Sequence, residues 1–315
     1  GQGHSFYELM SVFQLPFIKN TSLYLLPVIF VVFFLSHILN LIRTTDNKGK
    51  LYLFFIIALI LLRFSRSKEF GTDLPVICLL FIIQIYVLNF IQKPNIELLF
   101  KVVILFIFAV FLKIYAALAI LYLLFLLKKN NFNFVLDIFK FNRLSFFIIF
   151  LILISFSKNL ITSGCFFYQL KNMCIDKNVA IWSVGNKVAN ERHIFTSASS
   201  KGWKAYVRTE NPKKFVSAEE YLEISKFNYL KYLSKDAIFD RLIITLLICF
   251  IFIIFHIKNL KKSERNKIFS SSSILLFGSF IAVIIWILKI PNVRYGGYAY
   301  VPFFIFMVIF YYYDL

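Results

Sequence analysis

The sequence predicts an all-α polytopic membrane protein with about nine transmembrane helices and one long extracytoplasmic segment. Three observations lead there. Hydrophobic residues make up 60% of the 315, where soluble domains average about 45–50%, and mean hydropathy is +0.76. Phe alone occurs 41 times, more than a soluble core would absorb, so most of the chain is expected in lipid or against other lipid-bound helices. Leu, Ile and Phe come in blocks, whereas a barrel would show alternating strands of about ten residues.

The apolar runs define the helices in order. They are Ser22 to Ile42, Leu51 to Leu62, Leu74 to Gln92, Ile96 to Leu112, Ile114 to Leu127 and Ser145 to Ser157. A long polar stretch follows, then Leu242 to Ile257, Ile268 to Leu288 and Val301 to Tyr313. Several fall short of the roughly 20 residues a straight span needs. The stretch from Ile96 to Leu127 also reads as one long bent helix, which would invert everything before it.

Charge arbitrates between the two topologies. The net charge is +19, but the basic residues cluster at the ends of apolar runs and in the polar stretch. That is membrane-flanking charge, so nucleic acid is set aside as a partner. With "KNLKKSERNK" (258–267) placed in the cytoplasm, nine spans put roughly twice as many Lys and Arg inside as outside, the long polar loop excluded. Residues 1–21, 63–73, the junction at Lys113, 158–238 and 289–300 then share the outer side. The chain opens "GQGHSFYELM", with no Met and no charged-then-apolar leader, so it is expected to begin inside a longer protein.

The expected organisation is a helical membrane part over 1–157, an extracytoplasmic segment over 158–238 and a three-helix membrane part over 239–315. Within the segment, "SAEEYLEISKFNYLKYLSKD" reads as an amphipathic helix near 217–235. Ser217 and Glu220 have capping-box spacing. Such a helix lies in the membrane interface or packs on the bundle as a connector. Cys165 and Cys174, nine positions apart, either close a small disulfide in an oxidising compartment or stay reduced; spacing alone does not decide. Cys78 and Cys249 fall inside apolar runs and read as core. His37 and His256 read as residues near cytoplasmic helix ends. There is no Cys/His zinc spacing and no Gly-rich phosphate loop.

On the outer side the charged residues carry the interest. Glu8 and Asp73 sit near span ends, where a carboxylate serves as general base, metal ligand or solvated cap. Lys113 is the only charge between Val102 and Lys128. A lysine deep in lipid costs about 2.5–3.5 kcal/mol on insertion scales. It either marks a tight turn reaching the interface or faces a polar cavity and an anionic group. "KIPNVRYGGYAYVPF" (289–303) breaks the apolar pattern with Arg294, two glycines and three tyrosines. Arg294 lies on the wrong side for an inside anchor, and Gly296 and Gly297 let backbone approach a neighbour closely.

Four stretches together resemble the GT-C superfamily of polytopic glycosyltransferases, in particular its envelope-polysaccharide branch. They are "TDLPVICLL" (72–80), "FLKIYAALAILYLL" (111–124), "KNLITSGCFFYQ" (158–169) with "IWSVGNKV" (181–188), and "IPNVRYGGYAYVPFF" (290–304). The resemblance covers most of the chain by order, although each motif is short. It implies transfer of a sugar from a polyprenyl-phosphate donor at the outer face of the bacterial inner membrane. An acidic residue of the first outer loop would be the base, and basic residues would neutralise the leaving phosphate. Carried over, Arg294 and Lys113 would meet the lipid phosphate, Trp182 or Tyr295 would stack on sugar, and Asp73 would border the substrate. The family's Asp before Tyr-His has no counterpart in the opening stretch; Tyr7 is followed by Glu8. The base is then Glu8, or lies upstream, or is lost. No cofactor is assigned, and a divalent metal stays open. The alternatives are a polysaccharide polymerase or ligase, a transporter or flippase, and a non-catalytic membrane scaffold.

Overall fold

The computed structural model describes residues 22–44, 47–64, 73–127, 143–166, 172–203, 206–207, 216–225, 229, 271–289, 291 and 296–314. Nearly all of them are helical, and the one β-type pairing among them is an isolated bridge between Cys165 and Cys174. In order, the helices are α1 (Ser22–Thr44), α2 (Asn47–Phe64), α3 (Asp73–Gln92), α4 (Ile96–Leu112), a 3-10 helix (Ile114–Leu127), α5 (Arg143–Ser163), α6 (Gly185–Ser200), α7 (Ala218–Ser225), α8 (Ser271–Lys289) and α9 (Tyr298–Asp314). Among the described residues, Asp73–Gln92, Ser145–Ser163 and Ser272–Lys289 are long and apolar enough to cross a membrane.

The chain divides into two compact units. The first comprises Gly1–Lys140, Ile253–Ile284 and Arg294–Leu315; the second comprises Phe141–Phe252 and Ile285–Val293.

In the first unit α3 is the central element. It packs against α1, α2, α4, the 3-10 helix and α9, and 72% of its membrane-length window is buried. That fits its sequence, which is apolar all round rather than on one stripe. The turn after α3 is "KPN" (93–95). Asn95 caps α4 by accepting a hydrogen bond from the Glu97 amide at 2.9 Å, and Glu97 and Lys101 pair on the exposed face at 2.7 Å.

The end of α4 is less regular. Lys113 is extended (φ −152°, ψ 123°) while its N–H still reaches Ala109 O at 2.9 Å. The Ala116 N–H then takes Lys113 O at 3.0 Å, and the chain continues as a 3-10 helix to Leu127. A single extended residue thus breaks the stretch 96–127 into two helices. Fourteen residues is long for this helix type, whose rise of about 2.0 Å per residue makes it roughly 28 Å long.

The second unit begins with α5, whose membrane-length window is only 12% buried. Phe146, Phe150 and Leu153 stand exposed along it. Past α5 the chain turns at Gly164 and is stapled by a Cys165–Cys174 disulfide. α6 and α7 then pack on each other around Ala198, Tyr206, Val216 and Tyr221. The Ser217 hydroxyl accepts the Glu220 amide at 3.2 Å, so α7 starts where the capping box places it. Its apolar side, led by the fully buried Tyr221, faces this small core, with only Ile224 half-exposed. α7 thus packs on α6. The part of the expected helix beyond Ser225 lies outside the described residues apart from Tyr229.

Candidate functional site

The site is built where α3 begins and α4 ends. Asp73 opens α3, where a carboxylate is favoured by the helix dipole. Its side chain is fully buried. The Lys113 ammonium lies 3.1 Å from the Asp73 carboxylate and is itself almost closed off, with 8% of its surface exposed. Two residues that the sequence singles out separately are one ion pair. Each offsets part of the cost of burying the other's charge.

The motif around Gly296 joins the same place. Tyr300, in the first turn of α9, donates its hydroxyl hydrogen to the Tyr115 carbonyl at 2.7 Å. Gly296 has φ +93°, and a Cβ there would run into the rings of Tyr300 and Tyr115. The close backbone approach that the glycine permits is therefore made to two tyrosines. Tyr115 lies two residues beyond Lys113, so three of the four stretches quoted for the resemblance converge here. Arg294, Tyr295 and Glu8 lie outside the described residues.

Deeper in the same unit is a second polar centre that the sequence reading passed over. Gln84 of α3 is fully buried. Its Oε1 accepts from the Tyr52 hydroxyl at 2.8 Å, and its Nε2 donates to the Tyr122 hydroxyl and to Ala299 O, both at 3.1 Å. One amide thereby ties α3 to α2, the 3-10 helix and α9. The signal for it is a lone Gln in "VICLLFIIQIYVLNF", where an unpartnered amide would be costly in apolar surroundings. Pro302 removes one backbone donor from the first turns of α9, close to the Ala299 carbonyl that accepts from Gln84. His37 is also held by α3: its Nε2 is 3.0 Å from the Tyr86 hydroxyl, with the rings edge-on. Its partner is a side chain of the bundle.

In the second unit the fourth stretch closes on itself. Val184 N–H donates to Ser163 O at 2.9 Å, Ile175 N–H to Gly164 O at 2.8 Å, and the Ser183 hydroxyl to Ile175 O at 2.6 Å. Gly164 (φ +68°) lies so close to Ser183 that an added Cβ would strike it. Trp182 is 64% exposed, and its indole N–H reaches Leu160 O at 3.5 Å. Cys165 and Cys174 are both buried beside Ala189.

Lys201 stands over the Tyr229 ring at 5.1 Å, and the Tyr229 hydroxyl donates to Ile287 O at 3.1 Å. Burial, with the nearby Lys289 charge second, holds the Lys201 ammonium below the usual lysine range. Among the described residues no group of three or more His, Cys, Asp or Glu gathers to hold a metal.

The fold and site thus define an all-helical chain with membrane-length helices and a buried ion pair. It belongs to the family described as a domain of unknown function (DUF8201), which matches residues 1–301. No curated protein and no solved structure matches the chain.

Proposed function

We propose that this chain is a multi-pass protein of the bacterial inner membrane that acts as a glycosyltransferase, moving a sugar from a polyprenyl-phosphate donor during envelope-polysaccharide assembly. The observation that carries the reading is the buried Asp73–Lys113 pair, set among three of the stretches that resemble the GT-C superfamily. An ionisable pair inside a helical membrane bundle is a functional-site hypothesis by default. Nine spans belong to the same reading: the six helical segments from α1 to α5, a seventh over Leu242 to Ile257, then α8 and α9. The 3-10 helix supports it, because its greater rise brings fourteen residues near the roughly 30 Å hydrocarbon thickness.

Within this reading the charges divide their work. Lys113 is balanced by Asp73, so the pair fixes the start of α3 against the end of α4. The grip on phosphate then falls to Arg294, whose planar fork suits paired charge-assisted hydrogen bonds. In the transfer the acceptor hydroxyl oxygen bonds to the anomeric carbon. The bond from that carbon to the phosphate oxygen breaks, and the phosphate leaves with the electron pair. A carboxylate, Glu8 or one upstream, takes the hydroxyl proton. Of the two stacking candidates for sugar, Tyr295 is the one that belongs to this reading.

The test is transfer by the full chain in proteoliposomes given polyprenyl-phosphate-linked sugars and glycan acceptors. Product formation that falls with Arg294→Ala and not with Arg265→Ala supports the reading; equal effects, or no turnover of any such donor, sink it. A flippase is the second reading, favoured by the helix break at Lys113, since transporters place charge at discontinuous helices. It predicts movement of the intact lipid-linked sugar across the vesicle with no glycosidic bond made.

A further inference from the structure

The end of α5 carries an apolar collar that the proposed reaction does not use. Ile161 is 71% exposed, Val179 80% and Ile181 93%, with Trp182, Phe166 and Met173 also open. These residues come from three separate stretches, and named contacts gather them at one helix end. The Trp182 indole N–H points to Leu160 O in the last turns of α5. Phe166 turns back along the helix, its ring edge-on to Phe156 at 6.5 Å. Phe166 N–H donates to Met173 O at 3.0 Å, and the Cys165–Cys174 disulfide closes the turn that brings them together.

We propose that this collar sits in the boundary between headgroups and acyl chains of the bilayer, so that the disulfide-stapled turn is a membrane anchor at the end of α5. Three features select lipid as the occupant. The collar is continuous with the exposed apolar face of a helix long and apolar enough to cross a membrane. Its most prominent member is a Trp with an apolar ring and a polar N–H, the side chain enriched at the membrane–water interface. Among the described residues from Lys158 to Lys187, the sequence carries Lys158, Lys177 and Lys187 against one carboxylate, Asp176, an excess that suits anionic headgroups. The anchor stands apart from the transfer reaction and holds whatever that reaction is.

Trp occurs only three times, which makes the collar directly readable. The full chain with Trp203→Phe and Trp286→Phe leaves Trp182 as the sole fluorophore. It is reconstituted into phosphatidylethanolamine–phosphatidylglycerol vesicles carrying brominated acyl chains. The expected result is loss of Trp182 emission to the bromines, strongest for bromines near the headgroup end, with little loss to aqueous iodide. Quenching by iodide alone overturns the proposal, and protection from both quenchers does so too, since it means a protein covers the face. Because Trp286 is buried and its replacement risks misfolding, a second measurement keeps all three native tryptophans. Ile181→Cys in a Cys78→Ala, Cys249→Ala background is spin-labelled, and relaxation by oxygen is compared with relaxation by a water-soluble nickel complex. Oxygen-dominated relaxation supports the anchor and nickel-dominated relaxation overturns it.

Discussion

The ammonium of Lys113 and the carboxylate of Asp73 stand 3.1 Å apart with almost no solvent at either. Each group is tolerable in that place because of the other. Removing one partner of a buried pair strands a charge, at a cost of about 3–5 kcal/mol, whereas replacing both with apolar groups of similar volume is often near neutral. Lys113→Met and Asp73→Leu are each expected to lower thermal stability in detergent, and the double variant to recover much of the loss. Additive losses would show that the two charges do not depend on each other.

Gln84 gives a different expectation. Its three hydrogen bonds connect four helices, and interhelical hydrogen bonds in membrane proteins average about 0.6 kcal/mol each. Gln84→Leu is therefore expected to cost about 2 kcal/mol, less than either half of the ion pair. Equilibrium unfolding in mixed micelles would measure it. A cost close to zero would mean that Tyr52 and Tyr122 find other partners.

The Cys165–Cys174 bridge closes a short loop, and constraint of the unfolded chain by such a loop is worth about 2–3 kcal/mol in the entropy model. Cys165→Ser should lower the stability of the second unit by that order. In the native chain, maleimide should label positions 165 and 174 only after a reductant is added. Labelling without reductant would exclude the bridge.

Lys201 should show its environment through reactivity. Burial and then the Lys289 charge lower its pKa, so at any pH below that value a larger share of it is the neutral amine than for an ordinary lysine. Between about pH 8 and 9, Lys201 is expected to acetylate faster relative to its exposed neighbours than burial alone would allow. Lys289→Gln removes the second cause, raises the pKa and slows the reaction. Peptide-level mass spectrometry reads both rates, and an unchanged rate in Lys289→Gln would remove Lys289 as a cause.

What the sequence made legible was local. Apolar blocks without alternation mark helices, and the serine and glutamate of "SAEE" mark the start of α7 to the residue. The oddness of Lys113 and of the Gly296 motif was also plain, because charge and glycine stand out against so apolar a background. What was not legible depends on through-space meeting. The short turn between α3 and α4 already brings the start of one helix level with the end of the other, but no pattern in the sequence says that the Asp73 and Lys113 side chains face each other there. Gln84 escaped notice for a related reason: amides carry no charge, so one Gln leaves an apolar run looking apolar. The extended backbone at Lys113 had a sequence cue only in the negative, a helix break without Gly, Pro or Asn.

The short staple after α5 also bears on how the molecule is made. A thiol pair of this kind is oxidised in a compartment that supports disulfides, after the ribosome has released that part of the chain to it. The turn that seats Ser183 against Gly164 is locked at that moment. A host lacking the oxidising machinery would yield chains without this fastening.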